Sequence, residues 1–194
     1  MKATTLFLLG CALAANGEQR AIDKQKSVVT VHAFKAGLFS AFGHDHEISA
    51  PVAAGTVDTI ARSVELRVEA GSLKVLDPKA SEKDRMEIQK TMVGPEVLDV
   101  SRYPEITFRS TAAEALGSGW KVRGSLTLHG VSKPVTVDVT EKAGHYVGTA
   151  QLKQSDFGIK PIRIAGGTVR VKDELRLEFN IQLAPSDVTA KEGR

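Results

Sequence analysis

Gly43-His44-Asp45-His46-Glu47 is the densest run of groups in the chain that could hold a metal ion or move a proton. On an extended backbone, His44 and His46 project to one side and Asp45 and Glu47 to the other. The two imidazoles then share parity with Ile48, so they face an interior or its mouth. Two imidazoles at this spacing can grip Zn²⁺ or Cu²⁺, but a stable site needs a third or fourth ligand. His32, His129 and His145 are the candidates, although His129 falls on a charged face and His32 has mixed parity. The other reading is a polar rim, in which His44 and His46 hydrogen-bond locally or to the head of a ligand. Catalysis would require a nucleophile or a paired carboxylate beside them, and none accompanies the run. Nor does the chain carry a Gly-rich phosphate loop, a Ser-His-Asp arrangement or a nucleotide fingerprint. The expectation is a binding protein without enzymatic activity or a required cofactor, with Zn or Cu at the His44/His46 pair as the alternative.

Strands must position these groups, because most of the chain alternates with a period of two. Trp120, Val122, Leu126 and Leu128 share one parity, with Lys121, Arg123, Ser125, Thr127 and His129 on the other. Val135, Val137 and Val139 alternate with Thr136, Asp138 and Thr140. The last segment is the longest: Val169, Val171, Leu175, Leu177, Phe179, Ile181 and Leu183 lie on one face. Asp173 breaks that pattern and marks a bulge or bend. Val64, Leu66 and Val68, then Ile106 and Phe108, repeat the alternation, and Val29, Val31 and Ala33 form a strand from near Ser27. Glycines punctuate the series, Gly166-Gly167 among them as a hairpin turn, and Ser155-Asp156 reads as the cap of a short turn. One helical insertion is expected over residues 78–93, from Pro78 to a stop at Gly94-Pro95.

About eight strands with one apolar and one charged face predict an all-β protein with one short helical insertion, a closed or nearly closed antiparallel barrel. Charged outward faces exclude an outer-membrane barrel, whose outside must be apolar. An apolar inside suits a lipophilic ligand, although a sandwich with a solid core would alternate in the same way.

The chain has 194 residues, 25% charged and 42% hydrophobic, with a net charge of only +3 spread along its length. That describes a globular domain and argues against nucleic-acid binding. Lys2, an apolar run over residues 6–15 and the small residues that follow form a secretory signal over residues 1–17, too short to span a bilayer. One domain is expected over residues 18–194. Leu8-Leu9-Gly10-Cys11 also resembles a lipoprotein box, which would anchor the chain through Cys11. Only ten residues would precede that cut, so a soluble exported protein, periplasmic or otherwise, is expected. Cys11 is the sole cysteine, which leaves the mature domain without a disulfide or thiolate site.

Several segments resemble the YceI-like family of lipocalin-like, polyisoprenoid-binding periplasmic proteins. They are Met92-Val-Gly-Pro-Glu-Val-Leu-Asp99 with Tyr103-Pro-Glu-Ile-Thr-Phe108-Arg-Ser110, and Gly124-Ser-Leu-Thr-Leu-His-Gly-Val-Ser-Lys-Pro-Val135. Ser155-Asp-Phe-Gly-Ile159 and Val171-Lys-Asp-Glu-Leu175 follow in order. The chain departs from the family at Lys26, where many members have His, and in the loop over residues 37–48, usually rich in Gly and aromatics, in a chain whose aromatic content is only 5%. The resemblance implies an extended lipocalin-like barrel around an isoprenoid or fatty chain, for transport, storage or protection, with no catalytic residues. A stress-response barrel without a ligand is the further alternative. The apolar lining is expected from Val29, Val31, Phe39, Phe42, Phe108, Trp120, Leu126, Leu128, Phe157, Leu177 and Phe179. The partner is then an apolar small molecule, and a homodimer is left open.

Overall fold

The alternating segments fold as strands, and the computed structural model describes residues 19–36, 45–164 and 169–185. In chain order these are β1 (Gln19–Ala21), β2 (Val28–Ala36), β3 (His46–Asp58), β4 (Ser63–Glu69) and β5 (Lys74–Val75). The helix α1 (Glu82–Val93) comes next, before β6 (Glu105–Leu116), β7 (Gly119–Leu128), β8 (Val131–Lys142) and β9 (His145–Lys153). A 3₁₀ turn over Gln154–Phe157 leads to β10 (Arg163–Ile164) and β11 (Val169–Gln182).

Eight antiparallel strands close on themselves in the order β3-β2-β11-β9-β8-β7-β6-β4, and β4 pairs back onto β3 to complete the ring. Closure removes the unpaired edges that an open sheet would expose. β1 and β5 pair outside this ring with β3, and β10 pairs with β11. Cross-strand ion pairs cover the outer face: Arg109 with Glu65, Arg67 with Glu105, and Arg123 with both oxygens of Glu114. Each contributes little to stability in water, but together they confirm which face meets solvent.

The pairing of β11 with β2 shifts register between Val171 and Leu175, so Asp173 does mark a bulge. The bulge frees its carboxylate to accept from the Ser155 amide at 2.8 Å and the Ser155 hydroxyl at 2.6 Å. Ser155 is therefore tied to a distant strand, rather than capping its own 3₁₀ turn as its sequence neighbours suggest. The Ser155 hydroxyl foremost holds the Asp173 carboxyl below its ordinary 3.8, partly opposed by burial and aided by the Ser155 amide and Lys153. A carboxyl depressed in this way contributes stability above its ordinary value and loses it as pH falls through the lower, folded value. Acidification below about pH 4 should thus loosen this clamp and lower the protection of the Ser155 amide relative to its intrinsic exchange rate. Asp173→Asn should show lower protection at neutral pH and no further loss of protection on acidification.

The helix begins four residues later than Pro78 suggests. Asp77 has φ +22 and Pro78 lies in a turn, and the backbone reaches helical geometry only after Ser81. Ser81 accepts from the Asp84 amide at 3.1 Å and donates to the Asp84 carboxylate at 2.8 Å, a reciprocal cap that outcompetes the proline. Ser81→Ala should destabilise the protein by about 1 kcal/mol, read as a lower urea midpoint with an unchanged slope. Gln89 ties α1 to the barrel by accepting from the Val75 amide and donating to the Leu73 carbonyl.

Candidate ligand-binding cavity

The inward side chains do not fill the barrel. A cavity of about 1330 Å³ runs from one end to the other, with walls from every strand of the ring and from α1. It exceeds the usual range of small-molecule sites, roughly 300–1,000 Å³. Val29 and Val31 of β2, Phe108 of β6 and Trp120, Leu126 and Leu128 of β7 stand on its wall. Leu177 and Phe179 of β11 complete the set of expected lining residues that the structure places there. Val135, Val137 and Val139 join them from β8, as their parity requires. Ile88 and Met92 of α1 close part of the wall from outside the ring.

Phe157 does not line the cavity. It is 1% exposed and packs into the core cluster with Leu126, Leu128 and Leu152. Its place in a 3₁₀ turn, ended by Gly158 at φ +74, removes it from the strand parity on which the expectation rested. Phe39, Phe42 and His44 lie outside the described residues, as do Cys11, residues 1–17 and Gly166-Gly167.

His46 stands on the cavity wall, as its parity with Ile48 predicts. Its Nδ1 lies 2.6 Å from Asp77 Oδ2, and the second Asp77 oxygen accepts from the Glu47 amide at 2.8 Å. The Asp77 side chain has no exposed surface. The left-handed backbone at Asp77 is a conformation that non-glycine residues adopt at a cost of order 1–3 kcal/mol, and here it brings the carboxylate behind the imidazole. Nothing in the local sequence marks Asp77, which is 31 residues away in the chain.

The other described histidines are not gathered around His46. His32 faces Glu178 at 3.8 Å on the outer surface, and His145 Nδ1 meets Asn180 Oδ1 at 2.7 Å. His129 lies not on a strand face but in the β7–β8 turn, at φ +51, with Nδ1 3.2 Å from the Phe157 carbonyl. Among the described residues no three His, Cys, Asp or Glu side chains form a group that could hold a metal.

The barrel ends are polar. Strand register places Lys35, His46, Arg163 and Arg170 at one end, and Asp84 and Glu87 of α1 also line the cavity. Asp58, Arg62, Ser63 and Glu141 line the other. Near that second end Tyr146 lies 6.2 Å from Trp120, ring to ring. Burial pushes the Tyr146 hydroxyl above 10.0, helped by Glu141 and opposed by Arg20, so it stays a neutral donor on the wall. Tyr146 shares parity with Ala150 and Leu152, a pattern in the sequence that could have identified it.

The family model for the YceI-like domain matches residues 21–183, nearly the whole described chain. This chain belongs to the YceI-like family. A UPF0312 protein of Vibrio parahaemolyticus is 34% identical over 116 residues, covering 54% of this chain and 59% of that relative. A UPF0312 protein of Pseudomonas aeruginosa is 29% identical over 176 residues, covering 82% of this chain and 87% of its own length. Among solved structures, BcnA of Burkholderia cenocepacia superposes with a TM-score of 0.60 at 22% identity, over 84% of this chain and 99% of BcnA. A mutant of the Campylobacter jejuni YceI protein gives 0.50 at 16% identity, over 72% of this chain and 82% of that one. At such identities the structures speak for the fold alone. Among the described residues of this YceI-like barrel, no helix is long and apolar enough to cross a membrane.

Proposed function

We propose that this YceI-like barrel binds one long apolar chain, isoprenoid or fatty, and carries or sequesters it in an exported compartment. The observation that carries the reading is the apolar-walled cavity of about 1330 Å³ extending between the two barrel ends. Each methylene moved from water into such a wall contributes roughly 0.8 kcal/mol, so a chain can be held tightly with few polar contacts. A molecule of poor aqueous solubility is the natural cargo. The signal-like residues 1–17 support export, and the charged outer face suits an aqueous compartment.

Native mass spectrometry of protein purified from its source without detergent tests this reading. A stoichiometric mass excess, released by organic solvent and identified as a long-chain lipid, is the expected result. Protein that is empty on isolation and takes up neither fatty nor isoprenoid chains on titration would refute it.

A further inference from the structure

The antiparallel pairing of β10 with β11 sets Arg163 directly opposite Arg170. Like charges in directly opposed positions destabilise a sheet. The ion pairs that arginines make among the described residues involve Arg67, Arg102, Arg109, Arg123 and Arg176, and neither Arg163 nor Arg170. On the next strand Ala36 is opposite Arg170, and Lys35 is opposite Val171. Register turns Lys35 inward with Val171 and sets the exposed Arg163 and Arg170 on the opposite face, and all three residues border the cavity mouth at this end of the barrel.

His46 belongs to the same corner. It pairs with Ala33 across β2 and β3, so Lys35, two residues on and of the same parity, is its diagonal neighbour on the inner wall. The buried Asp77 carboxylate lies against Nδ1 and so orients the ring, as carboxylates behind metal-binding imidazoles do. The carboxylates placed at this corner are Asp45, which accepts from the Lys35 amide, and Asp77 behind His46, while Asp84 and Glu87 of α1 also line the cavity. A head group entering here meets cations from β2, β10 and β11, and an acidic one is drawn to them.

We infer that Lys35, Arg163, Arg170 and His46 form a head-group site for an acidic amphiphile, a long chain ending in a carboxylate or phosphate. This rests on the chain-binding reading above and adds the chemistry of the end. An acid binding between Arg163 and Arg170 relieves their mutual repulsion through charge-assisted hydrogen bonds, and Arg suits planar carboxylate and phosphate oxygens. Asp77 is a positioning residue that acts through His46.

Chain-matched pairs test the inference: palmitic acid against 1-hexadecanol, and farnesyl phosphate against farnesol. Trp120, the only tryptophan, stands on the cavity wall and reports binding by its fluorescence. Wild type should bind at least one acid about 10-fold or more tighter than its alcohol, and raising salt should shrink that ratio. Whichever pair shows the larger ratio tells carboxylate from phosphate. In Arg163→Gln/Arg170→Gln the ratio should fall toward about 1, and in His46→Gln and Asp77→Asn it should fall in part, with folding checked by circular dichroism. Equal binding of acid and alcohol by wild type, or a ratio that survives the double arginine variant, would overturn the head-group site while leaving chain binding intact. Failure of all four probes to bind would overturn chain binding itself, and this inference with it.

Discussion

Ala150→Trp should abolish most chain binding while leaving the barrel folded. Ala150 is 7% exposed and lies on the cavity wall opposite Leu177 of β11. In a filled core an added indole would overpack and cost 1–3 kcal/mol, but here it projects toward empty space. An indole that displaces about three methylenes of a bound chain removes roughly 2.4 kcal/mol of transfer free energy, which is about 50-fold in affinity. Titration with a fluorescent long-chain acid measures the loss, and an unchanged melting temperature shows that the barrel survives. Wild-type affinity in this variant would mean that the chain binds elsewhere.

The second large effect concerns the wall itself. Gly148 of β9 sits opposite Val139 of β8 and Phe179 of β11. A Cβ there would overlap the Asp138 carbonyl oxygen and the tip of the Phe179 ring. The ring can rotate away, whereas the carbonyl belongs to a paired strand and cannot retreat without breaking the β8–β9 ladder. Gly148→Ala should therefore cost about 3 kcal/mol, the upper end of ordinary overpacking, and lower the melting temperature by roughly 10 °C for a domain of this size. Adding Phe179→Ala should recover only a minor part, because the backbone clash remains. A melting temperature within about 1 °C of wild type would show that the strands separate more easily than this packing implies.

The architecture was readable in the chain because strand parity is a local property. Trp120, Val122, Leu126 and Leu128 were expected on one face, and all four stand on the cavity wall. The gap in that series at Gly124 also has a spatial reason: the Phe108 ring of β6 occupies the place where a side chain would project. Parity failed where the backbone left the extended region. Phe157 turns into the core from a 3₁₀ turn, His129 sits in a left-handed turn, and α1 starts at a reciprocal cap rather than at Pro78. In each case a short-range hydrogen bond or a positive φ overrode the two-residue repeat.

Sequence alone determined the alternating faces and the family, because these depend on residues next to one another or on ordered motifs. It suggested that His46 faces inward, again by parity. Only the tertiary structure decided that the barrel is hollow, since alternation is identical for a filled core and an empty one. Only it placed Asp77 behind His46 and opposed Arg163 to Arg170 at the end where Lys35 also lies. Those juxtapositions depend on strand register and ring closure, which join residues far apart in the chain. The His-Asp-His run thus changes meaning: the carboxylate that holds His46 is the distant Asp77, while Asp45 accepts from the Lys35 amide at 2.9 Å.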